Sequence, residues 1–91
     1  MYQVSQSLPI MLGKNKSLTT TNQAFGIVLR EMRKQAGFTQ EGLAFEAGIE
    51  RNYVSLIELG RNQPTITVVF KLAKALDIRP SKLIAKTEKI L

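Results

Sequence analysis

Gln40-Glu41-Gly42-Leu43-Ala44-Phe45-Glu46-Ala47-Gly48-Ile49-Glu50-Arg51-Asn52-Tyr53-Val54-Ser55-Leu56-Ile57-Glu58 is the stretch whose reading decides the fold. It spells two short helices joined by a tight turn. Thr39 is placed to cap the first, whose apolar face is Leu43, Ala44 and Ala47. Gly48 ends that helix in a left-handed conformation that a side chain would resist. The second, over roughly 51–59, follows within two or three residues, so the two must cross closely. Ala44 is small where the backbones pass. Leu43, Ala47, Ile49, Val54 and Ile57 fill the wedge between them.

Outward from this pair the pattern stays helical. Upstream, Phe25, Val28, Leu29, Met32 and Ala36 recur at helical spacing and predict a first helix over about 23–36, capped by Asn22 and ended by Gly37. Downstream, Gly60 closes the third helix, and Arg61-Asn62-Gln63-Pro64 leads to Thr65, the cap of a fourth. That helix is expected to bury Ile66, Val69, Phe70, Ala73 and Leu76. Pro80 suits the first turn of a fifth, with Leu83, Ile84, Thr87 and Leu91 inward. Phe25, Met32, Phe70 and Leu76 are expected in the core. The result is an all-α domain of five helices over 22–91. Residues 1–21 hold Lys14 and Lys16 and no acidic residue, and read as a flexible arm.

Composition narrows the function. The chain has 91 residues, no Cys and no His, which removes disulfides, thiolate nucleophiles, zinc sites and the commonest general base. No catalytic constellation, metal set, cofactor box or small-molecule site emerges, so an enzyme is not expected. Nothing approaches the roughly 18 apolar residues of a membrane span, and no basic leader opens the chain. A cytoplasmic location is expected. Thirteen Lys and Arg against seven Asp and Glu leave a net charge of +6, which favours a polyanionic partner, nucleic acid first.

The chain from about Phe25 to Leu83 resembles the Cro and phage-repressor-like (XRE) family of DNA-binding proteins. The resemblance is carried by Arg30 and Arg33, Thr39-Gln40, Leu43-Ala44, Ile57-Glu58, Gly60, Pro64 and Leu72-Ala73-Lys74-Ala75-Leu76. Arg51-Asn52-Tyr53-Val54-Ser55 and the Pro64-Thr65 helix most resemble the controller proteins of restriction–modification systems. It implies a lambda-repressor-like fold with the helix-turn-helix at helices two and three. It also implies a sequence-specific regulator that binds an inverted repeat in double-stranded DNA as a homodimer. The alternative is an antitoxin or protein-interaction module on the same fold. Three positions depart from the family pattern: Gly42 where Glu is usual, Glu50 where a capping Ser, Thr or Asp is common, and Asp77 in place of a frequent Gly.

The third helix can be read on its own. At about 100° per residue Arg51, Asn52, Ser55 and Leu59 share one arc, with Val54 and Ile57 opposite. Arg51 can donate twice to guanine, Asn52 can pair with adenine, and Leu56 at the margin can meet a thymine methyl. Arg51, Asn52, Ser55 and Leu56 are therefore the expected base contacts. Thr39, Gln40, Tyr53, Arg61 and Asn62 are the expected backbone contacts. Gln40 has that task from the resemblance, and for Tyr53 packing on the core edge is an equal reading. The resemblance makes Arg33 and Glu58 a structural ion pair. It places the dimer interface at Ile78, Leu83, Ile84, Ile90 and Leu91, the other reading being that these close the monomer.

Overall fold

A computed structural model describes residues 19–91. They form α1 (Thr21–Gln35), α2 (Gln40–Ala47), α3 (Arg51–Glu58), α4 (Ile66–Ala75) and α5 (Pro80–Ile90). Among the described residues there is no strand. α1 packs on α5 and α3, α2 bridges α3 and α4, and α4 meets α5. The core they enclose is built on Leu29, Leu43, Ile57, Leu72 and Leu83, with Phe25, Met32 and Leu76 closing it. The arm expected at 1–21 falls almost wholly outside the described residues.

Local chemistry sets the boundaries. Thr39 and Thr65 accept from the backbone N–H of Gly42 and Val68, at 2.9 and 3.1 Å. Each such cap stabilises by about 1 kcal/mol. Pro80 opens α5, where a missing N–H costs nothing. Gly37, Gly48 and Gly60 all take positive φ, and Asp77 does so at +59°. An Asp tolerates that turn better than most side chains.

Three expectations need correction. α1 starts at Thr21, capped by Thr20 and not by Asn22. Thr20 Oγ1 accepts from the Gln23 N–H at 3.1 Å, and the Thr20 N–H donates to Gln23 Oε1 at 2.9 Å, a reciprocal box that Asn22 cannot form. Ala36 follows the helix as its exposed C-cap. On α4, Phe70 is 55% exposed and Ile66 is also outside; Val68, Val69, Leu72, Ala73 and Leu76 are the buried set. α4 is apolar around more of its girth than one small core can cover, so part of it faces solvent. On α5, Leu83 and Thr87 point inward, whereas Ile84 and Leu91 are 48% and 54% exposed. Thr87 is buried without cost because its hydroxyl donates to the Leu83 carbonyl at 2.7 Å.

Candidate nucleic-acid interface

α2 and α3 meet at Gly48, whose φ of +71° turns the chain. The Ile49 N–H donates back to the Ala44 carbonyl at 3.0 Å and locks the turn. Val54 and Ile57 anchor α3 in the core, and Ala44 and Ala47 are buried where α2 passes. Opposite them, Arg51 and Asn52 are exposed and Ser55 and Leu56 are half-buried, while Tyr53 is half-buried and packs against the core. α3 has eight residues, about 12 Å of helix, with one cation at its start. Its outward side chains are slim enough for the rod to enter a major groove about 12 Å wide.

What holds α3 is a set of contacts with α1. Glu58 accepts from Arg33 Nε at 2.6 Å, from Arg33 Nη2 at 3.0 Å and from Gln40 Nε2 at 3.0 Å. Arg33 Nη1 donates to the Phe38 carbonyl at 2.9 Å. One carboxylate thus joins the end of α3 to α1 and the start of α2, and Arg33 ties in the α1–α2 loop. The two charged side chains are only 10% and 4% exposed. The Glu58 hydrogen bond raises the Arg33 pKa above its ordinary value; burial opposes this and the Glu58 charge adds to it. Arg33 therefore stays cationic at any ordinary pH.

Two glycines bring α1 and α3 together. A Cβ on Gly26 would run into the Ile57 carbonyl and lie 2.7 Å from the Glu58 oxygen. A Cβ on Gly60 would come within 2.8 Å of Gln23 Cγ. The end of α3 is therefore pressed against the backbone of α1, a contact the sequence does not announce. The loop after α3 is tied down as well: the Arg61 and Asn62 N–H groups donate to the Leu56 carbonyl at 2.9 and 3.3 Å. That holds the backbone of both residues at the end of α3.

Two expected phosphate contacts need qualifying. The Gln40 amide is not simply free at the helix start, since it donates to Glu58 and has one further N–H to offer. The Thr39 oxygen is engaged as a cap and retains only its O–H. At the expected dimer interface, Leu83 is fully buried within the protomer and has no surface to give, and Ile78 is half-buried against the core. The exposed apolar surface is instead Ile66 and Phe70 of α4 with Ile84, Ile90 and Leu91 of α5. A groove of about 530 Å³ runs among Phe25, Pro64, Ile66, Ile84 and Leu91. Among the described residues no group of His, Cys, Asp or Glu is placed to hold a metal, and no helix is long and apolar enough to cross a membrane.

The chain matches a family model described as helix-turn-helix over residues 29–83. It is 36% identical over 61 residues to the control protein C.BamHI of Bacillus amyloliquefaciens, covering 66% of this chain and 75% of that one. Its structure is similar to that of the restriction–modification controller protein C.AhdI from Aeromonas hydrophila. The identity is 44% and the TM-score 0.67, over 68% of this chain and 94% of that one. It is similar too to the controller protein C.Esp1396I, solved as a tetramer in complex with its natural 35 base-pair operator. There the identity is 26% and the TM-score 0.70, over 77% of this chain and 92% of that one.

Proposed function

The chain belongs to the helix-turn-helix family, and from that premise we propose that it is a sequence-specific regulator of transcription of the restriction–modification controller type. The observation that carries the reading is α3 itself, anchored in the core by Val54 and Ile57 with Arg51 and Asn52 exposed on its free face. Arg51 and Asn52 read base edges, the first as a twofold donor to guanine O6 and N7, the second on adenine N6 and N7. Ser55 supplies a hydroxyl and Leu56 an apolar contact. Gln40, oriented by Glu58, gives its second N–H to a phosphate, as do the hydroxyls of Thr39 and Tyr53 and the side chains of Arg61 and Asn62. The protein is a binding module and not an enzyme, and it works in the cytoplasm with its DNA.

One protomer offers too few base contacts to single out a site in a genome. A twofold dimer doubles the readout, and the exposed Ile66, Phe70, Ile84, Ile90 and Leu91 provide the apolar surface for it. Its operator is then an inverted repeat with half-site centres about 34 Å apart. Selection from random duplex DNA tests this. The expected product is one twofold-symmetric sequence with that spacing. Recovery of unrelated sequences, or of a single asymmetric half-site bound by a monomer, would contradict it.

A further inference from the structure

The groove of about 530 Å³ between the start of α1, Pro64 and the outer sides of α4 and α5 has three features that bear on what fills it. Its walls are apolar: Ile66, Ile84 and Leu91 line it and are well exposed, surface that gains from leaving water. Its size falls among binding clefts, which run to about 300–1,000 Å³. Among the described residues that line it, Glu88 is the one charged group, although α5 also carries Lys82, Lys86 and Lys89. The chain itself enters at the rim, because Thr21 and Asn22, the first residues of α1, line the groove too.

The segment that leads into this rim has the matching chemistry. Leu8-Pro9-Ile10-Met11-Leu12 is an apolar run, Lys14 and Lys16 follow it, and residues 1–21 hold no acidic group. Eight residues, 13–20, separate Leu12 from Thr21. Fully extended they span about 26–29 Å, more than the length of α5, about 16 Å. A short tether also presents the run to the groove at an effective concentration of about millimolar, which a second copy in dilute solution does not reach. We propose that residues 8–12 dock in this groove of their own protomer, and so compete with a second copy for Ile66, Ile84 and Leu91. The aliphatic side chains cover those three residues, and Lys14 and Lys16 lie within reach of Glu88. The docking stands on the groove and the segment; the competition rests on the dimer of the regulator reading above. The arm then sets the concentration at which the protein pairs and grips its operator.

The chain has no Cys, so Ser7→Cys carries a single nitroxide on the full-length protein. Labelled, isotope-enriched chains are diluted in excess unlabelled protein, so that only contacts within a protomer broaden amide signals. Strong broadening is expected at Ile66, Ile84 and Leu91 and little at Phe45 of α2, which does not line the groove. Adding Ile10→Ser and Leu12→Ser, which leave the net charge unchanged, should abolish it. Without the label, that double variant should dimerise about tenfold more tightly than wild type in sedimentation. Broadening no stronger in the groove than at Phe45 would overturn the docking. So would broadening seen only when label and isotope sit on different chains, which would put the arm on the partner. Docking with an unchanged dimer constant would overturn the competition. If wild type and the double variant both stay monomeric, the regulator reading loses its dimer and the competition falls with it, while the broadening still decides the docking.

Discussion

Single side chains do two different jobs in this molecule. Arg33 and Glu58 belong to the frame: the pair is nearly buried and doubly hydrogen-bonded, with Gln40 completing the carboxylate's partners. Removing one partner strands a charge in the interior. Arg33→Ala should therefore cost about 3–5 kcal/mol in urea unfolding, while replacing both residues with apolar ones of similar volume should cost much less. A loss below about 1 kcal/mol for the single change would mean water reaches the site freely. Because the Arg33 pKa is raised, the contribution of this group is complete below its unfolded pKa and fades only as pH climbs through the folded one. The Arg33→Ala penalty should hence be unchanged between neutral pH and about pH 10. The Gln40–Glu58 bond is not legible in the sequence. Spacing places Gln40 at a helix start, but its partner lies eighteen residues away and is found only once α3 has folded back.

At the level of helices, the α1–α3 contact governs how the reading rod is aimed. Gly26 lets α1 touch the last carbonyls of α3, and Gly26→Ala would force the two apart. Overpacking of this kind costs about 1–3 kcal/mol. Thermal unfolding should register that loss, and the folded variant should bind its operator more weakly because α3 is tilted; an unchanged melting temperature would show that α1 gives way easily. Elements with local signals are readable in advance: Thr39, Thr65 and Pro80 mark helix starts, and Gly37, Gly48 and Gly60 mark ends. The start of α1 is not, because Thr19, Thr20, Thr21 and Asn22 all suit a cap, and only Gln23 selects Thr20. Gly26 is hidden for a related reason. Inside a helix a Gly reads as a local cost, and the backbone it admits comes from another part of the chain.

For the whole molecule the question is which surface leaves water on assembly. Periodicity shows that α4 and α5 carry more apolar residues than one core uses, but not which side turns inward. Phe70 therefore reads as core yet lies outside, and Leu83, Ile84 and Leu91 read both as inward-facing and as interface, although Leu83 closes the core and the other two are exposed. Ile84→Lys changes a residue already half exposed, so the protomer should keep its fold while the dimer weakens. Sedimentation should show a monomer, with operator binding reduced at least about tenfold. A dimer that survives this change would place the interface elsewhere.

The central claim is that the free face of α3 reads bases, and Arg51→Ala probes it most directly. The measurement is the affinity of wild type and variant for the selected operator and for an unrelated duplex, in one buffer at one salt concentration. The account expects operator affinity to fall at least about tenfold, since each bidentate contact is worth about 1–3 kcal/mol, with little change on the unrelated duplex. Equal losses on both duplexes would make Arg51 a phosphate contact and contradict the claim.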